Sequence, residues 1–164
     1  MAVSVPEIDL GEKNALRDVW FPFAMTEPSV FQTVMLLSSS NYAFVTKDTS
    51  KVPNLLLLRQ KALKYINEGL RDPNRKLSDQ LIVAVAKIAC YEAMYGTYAA
   101  YCIHMEGLVR MLEEKGGIQN LGLGGLLMRM CLWIDNNSGI LWNKTYRFFQ
   151  QSATFDQRTQ IRPR

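Results

Sequence analysis

The chain has 164 residues, 48% of them hydrophobic and 21% charged, which suits one domain whose core needs no disulfide or metal staple. Nineteen basic against fifteen acidic residues give a charge of +4, part of it at Arg158, Arg162 and Arg164. This balance excludes a disordered polyelectrolyte, and without a basic stripe it does not point to nucleic acid.

Residues 1–12 read as an extended leader, without the basic and then apolar pattern of a signal peptide. A helical patch from Asn14 to Met25 contains Pro22, which is expected to kink or end it. Glu27-Pro28-Ser29 opens the next helix, carried by Phe31, Val34, Met35 and Leu37 to about Phe44. The polar segment Thr46 to Pro53 reads as a loop. Leu55, Leu58, Ala62, Ile66 and Leu70 then recur at helical spacing, with Gln60, Lys64, Asn67 and Arg71 opposite. Asp72-Pro73-Asn74 ends that helix. Ser78 is a suitable N-cap and Asp79 a suitable first-turn residue for the next one. From Leu81 to Met94 the chain is apolar almost all round, interrupted chiefly by Lys87 and Glu92, which predicts a buried central helix over 80–94, closed by Gly96.

The fifth helix has the clearest stripe, Tyr98, Tyr101, Cys102, Met105, Leu108, Val109 and Leu112, with Glu106 placed to pair with Arg110. Lys115 lies in its last turn, and Gly116-Gly117 supply a left-handed stop. After a short turn at Ile118 to Leu121, the stripe resumes with Leu123, Leu126, Leu127, Met130, Trp133 and Ile134. Asn136-Asn137-Ser138-Gly139 predicts a break. Leu141, Trp142, Tyr146, Phe148 and Phe149 suit one more short element, and 150–164 reads as a loose basic tail. No run alternates with period two. The expected fold is all-α, a single-domain helical bundle or irregular array of five to seven helices over 13–149.

Chemistry is sparse. Cys90, Cys102 and Cys131 are widely spaced in apolar surroundings, which fits free thiols in a reducing compartment. His104 is the only histidine, and no nucleophile or metal-ligand motif surrounds it. It is expected to be a hydrogen-bonded residue between helices, with Gly107 allowing another helix to approach; the alternative is a pocket lining. Glu92 and Asp135 read as partnered or capping acids. Tyr91, Tyr95, Tyr98 and Tyr101 with Trp133 form either core or an aromatic pocket. Gly116-Gly117 and Gly124-Gly125 match no phosphate loop. The candidate pocket or helix-contact residues are therefore His104, Gly107, Tyr101, Trp133 and Glu92, with no catalytic, cofactor or metal set. No apolar stretch is long enough to span a membrane.

Four stretches in order carry a family resemblance: Trp20-Phe21-Pro22-Phe23-Ala24-Met25 followed by Glu27-Pro28-Ser29-Val30-Phe31; the helix Leu58 to Leu70; Leu77-Ser78-Asp79 with its apolar helix; and His104-Met105-Glu106-Gly107-Leu108 followed by Lys115-Gly116-Gly117-Ile118, Leu121-Gly122, Leu126-Leu127 and Trp133-Ile134-Asp135. Over about residues 14–136 the chain resembles the fungal-specific transcription factor domain, the regulatory region that accompanies a zinc cluster in many fungal regulators. Lys115 stands where the family usually has arginine, three scattered cysteines do not make the zinc cluster, and after Asn136 the likeness fades. The resemblance implies a nuclear or cytoplasmic regulatory domain, not an enzyme, acting through a protein partner, a homodimer or a small ligand, without sequence-specific DNA binding of its own. A small-molecule binder or enzyme on the same scaffold, or an oligomerisation fragment, are the alternatives.

Overall fold

A computed structural model describes residues 16–142. A π-helical turn, Leu16–Trp20, leads into α1 (Phe21–Met25), where Pro22 occupies the first turn and so forfeits no intrahelical hydrogen bond. The helix type changes just before Pro22, and α1 ends at Met25, three residues after it. The leader 1–12 and the start of the first helical patch lie outside the described residues, as do Tyr146, Phe148, Phe149 and the tail 150–164.

Helix α2 (Pro28–Thr46) also begins on proline, but its inner line differs from the expected stripe. Ser29, Val30, Thr33, Leu36 and Ser40 are buried, while Met35 faces out and Phe31 and Val34 are only half-covered. Small residues on that line let α2 lie against both α3 and α4. The Thr33 hydroxyl is satisfied within the helix, donating to the Val30 carbonyl at 2.8 Å. Lys47 ends α2 in the left-handed conformation, and a 3₁₀ turn (Thr49–Lys51), capped by Asp48 accepting from the Ser50 N–H at 3.0 Å, shortens the expected loop.

The amphipathic helix α3 (Val52–Arg71) buries Ala62, Ile66 and Gly69. Leu70, expected on the inner stripe, is instead 41% exposed. Gly69 takes the inward place because Leu81 sits on it: a Cβ there would come within 2.8 Å of Leu81 Cδ1.

Helix α4 (Asp79–Tyr95) is the predicted central element. Ser78 Oγ accepts the Leu81 N–H at 3.2 Å as its N-cap. From Leu81 to Ala93 every residue but Lys87 is buried, and α4 packs against α2, α3, α5 and α6. Helix α5 (Tyr98–Glu114) starts on Thr97, whose Oγ1 accepts the Ala100 N–H, and buries Tyr101, Met105, Leu108, Met111 and Leu112. Glu106 and Arg110 stay exposed and form no ion pair among the described residues, since two solvated side chains gain little from pairing.

Gly116 and Gly117, at φ +88° and +115°, stop α5 with bonds from their N–H groups to the Glu113 and Leu112 carbonyls. Lys115 then reaches across to the start of α4, donating to the Leu77 carbonyl at 2.9 Å and pairing with Asp79 Oδ1 at 2.8 Å. Asp79 Oδ2 accepts the Gly122 N–H at 2.9 Å, so one carboxylate ties the start of α4 to both sides of the turn after α5.

Leu123, expected to open the last stripe, lies in a 3₁₀ turn (Leu123–Gly125) with Gly124 and Gly125 at positive φ. Helix α6 (Leu126–Leu141) follows and runs through the break expected at 136–139. Ser138 and Gly139 are buried, and Asn137 Nδ2 donates to the Trp133 carbonyl at 2.7 Å rather than ending the helix. Packing of these small residues outweighs their weak helix propensity. The result is the expected all-α array, with no strand and no helix long and apolar enough to cross a membrane among the described residues.

Asp79→Ala removes a partner from Gly122 and Lys115 at once. It is expected to cost about 1–3 kcal/mol, read as a lower urea midpoint with an unchanged slope.

Candidate functional site

The single buried acid of the central helix organises one cluster. Glu92 is 1% exposed, and its Oε1 accepts from Arg59 of α3 through Nε at 2.7 Å and Nη2 at 2.6 Å. Oε2 accepts the Thr97 N–H at 3.4 Å. A Cβ on Gly96 would fall on Oε2, so glycine closes α4 to leave room for the carboxylate. His104 faces this pair from α5: burial holds its pKa below the ordinary imidazole value, against an upward pull from the Glu92 charge, with Arg59 adding to the lowering. No hydrogen bond to His104 occurs among the described residues.

Of the other candidates, Tyr101 is buried on α5 with its ring 6.2 Å from Tyr98, and Trp133 is half-buried on α6 against the core. Among the described residues no helix makes the close approach expected at Gly107: no described atom lies within 4 Å of a Cβ built there. The structure thus brings Glu92 and His104 together and leaves Gly107 apart. Lys87 is held by its ammonium lying 4.9 Å from the Trp20 ring centroid, and burial pushes its pKa down. Burial likewise raises the Cys90 thiol and pushes Cys131 up to about 12, so both remain unreactive thiols.

An opening lies elsewhere, where the end of α2, the start of α3 and the end of α4 meet. It is a groove of about 720 Å³ walled by Ala43, Phe44, Leu55, Leu56, Tyr91 and Tyr95, with Ser40 in its lining and Lys47, Asp48 and Thr49 along its edge. Its aromatic wall is continuous: Phe44 and Tyr95 rings are 6.2 Å apart and Tyr95 and Tyr91 5.9 Å. Burial raises both tyrosine pKa values, with Glu92 adding to that of Tyr91, so both phenols are neutral. Phe44 is 72% and Leu56 61% exposed, and Val45, Val52 and Leu57 extend the apolar surface. Tyr91 and Tyr95 are the only members of the expected aromatic set in this lining; His104, Gly107, Tyr101, Trp133 and Glu92 take no part in it. The signal that marks it in the sequence is Leu55-Leu56-Leu57-Leu58, more consecutive leucines than one helix face can bury.

The description fungal specific transcription factor domain matches residues 3–163, which carries the family past Asn136, where the likeness was expected to fade. No curated protein and no solved structure matches the chain.

Two consequences of the cluster can be measured. With no neighbour to crowd, Gly107→Ala is expected to stabilise the fold by up to about 1 kcal/mol, through helix propensity and a less flexible unfolded chain; a lower melting temperature would show a contact there. His104 has a lowered pKa when folded, so as pH falls the unfolded chain takes up its proton first and stability drops. Between about pH 7.5 and 5.5 the wild type should lose stability more steeply than His104→Gln, in urea titrations at each pH.

Proposed function

Because the chain belongs to the fungal specific transcription factor domain family, we propose that it serves transcription regulation as a binding module rather than a catalyst, with the groove between α2, α3 and α4 as its effector site. The observation that carries this reading is the groove itself. A monomeric domain gains nothing by holding Phe44 and Leu56 in water, and a contiguous apolar patch rimmed by polar residues is the form of a binding surface. Glu92 and Arg59, by contrast, are paired within the fold, and a carboxylate bound by guanidinium is poorly placed for proton transfer. Nothing in this reading asks the described residues to contact DNA. Regulation of transcription places the site of action in the nucleus, with the cytoplasm as the place of synthesis.

The double variant Phe44→Ser, Leu56→Glu alters two exposed side chains and should shift stability by no more than about 0.5 kcal/mol per site. In the native host its transcript profile is expected to match that of the gene deletion, at wild-type protein level and melting temperature. A wild-type transcript profile in the double variant would remove the groove from the function.

A further inference from the structure

The lining of this groove says what it is suited to hold. Three hydroxyls of helix α2, those of Thr33, Ser40 and Thr46, have different fates. Thr33 donates to Val30 and Thr46 to Tyr42, each back along the helix at 2.8 Å, the usual way a helical hydroxyl is satisfied. Ser40 stands between them, is 3% exposed, and its Oγ has no hydrogen-bond partner. A buried hydroxyl without a partner is costly and uncommon. This one belongs to the groove lining.

The rest of the lining narrows the chemistry. The lining holds one cation, Lys47, and one anion, Asp48, so it carries no net charge of its own; Lys51, which meets Asp48 at 3.8 Å, is outside the lining. The wall is a run of three tilted rings, Phe44, Tyr95 and Tyr91, of which Phe44 is exposed and Tyr95 half-buried, so these two are open to another flat molecule. The volume falls in the range of pockets that take a drug-sized ligand.

We infer that the groove binds a neutral, flat aromatic or polycyclic molecule that carries one hydrogen-bonding oxygen, with its rings against Phe44 and Tyr95 and its oxygen paired with Ser40. This rests on the groove being the effector site, and it names the effector's class. A turn of the Ser40 side chain presents its hydroxyl to the ligand oxygen. The apolar wall supplies most of the affinity, and Ser40 selects an oxygenated molecule over a plain hydrocarbon.

Fluorescence titration of the purified chain with three probes of one ring system tests this: 1-pyrenemethanol, pyrene and 1-pyrenecarboxylate. The alcohol is expected to bind about fivefold more tightly than pyrene, the worth of one hydrogen bond, with the carboxylate weakest. Ser40→Ala should bring the alcohol to the level of pyrene, leave pyrene unchanged, and not lower the melting temperature, since it deletes a group that has no partner. Leu56→Glu should abolish binding of all three. The inference is overturned if the carboxylate binds best, if Ser40→Ala leaves the alcohol unaffected, if no probe binds, or if the chain forms a dimer that Leu56→Glu dissolves. Groove variants that reproduce the deletion profile while the probes fail would leave the effector site standing and remove this ligand class. Probes that bind as expected beside an unchanged transcript profile would do the reverse.

Discussion

A helix that is apolar on every side can be stable in water only between other helices, and α4 is such a helix. Residues Leu81 to Ala93 are buried except at Lys87, and α2, α3, α5 and α6 are arranged around it. Each neighbour adapts to it locally. Gly69 of α3 gives way to Leu81, and α2 presents Ser29, Thr33 and Ser40 beside Val30 and Leu36. Fixing the N-terminus of α4 falls to Asp79, which holds Lys115 and Gly122. The Lys115-Gly116-Gly117 and Leu121-Gly122 pattern thereby acquires a physical meaning: two glycines reverse the chain at positive φ, and the lysine and the Gly122 amide fasten the reversal to the central helix.

Burial of α4 has one electrostatic consequence. Glu92 brings a carboxyl group into the interior, where a polar group left without a partner is costly, and Arg59 provides a two-nitrogen grip on one oxygen. Such a pair adds little net stability over an apolar packing of the same volume, but removal of either partner alone is costly. The pair also links two walls of the groove, since Arg59 lies on α3 one turn beyond the groove-lining Leu55 and Leu56 while Glu92 adjoins Tyr91 on α4.

The groove itself arises from a surplus. Helix α3 starts with four consecutive leucines and can turn only part of them inward, and Phe44 and Val45 lie at the end of α2 where it outruns its neighbours. Apolar side chains left over after the core is filled collect at this end of the molecule. Their grouping with Tyr91 and Tyr95, rather than any titratable residue, distinguishes it.

Read from its residues alone, the protein discloses its helices, its central α4, the caps at Ser78 and the Gly116-Gly117 stop, because these depend on local spacing and backbone preference. The family is legible for the same reason, as its motifs are short runs in a fixed order. Only the tertiary structure decided which face of α2 turns inward, that α6 continues through Ser138-Gly139, that no described neighbour crowds Gly107, and that Glu92 meets Arg59 thirty-three positions away. The groove belongs to this second group, since its walls come from three helices. A sequence reports the periodicity of each helix, but the rotation of one helix against another is settled by how unequal side chains fill a shared volume.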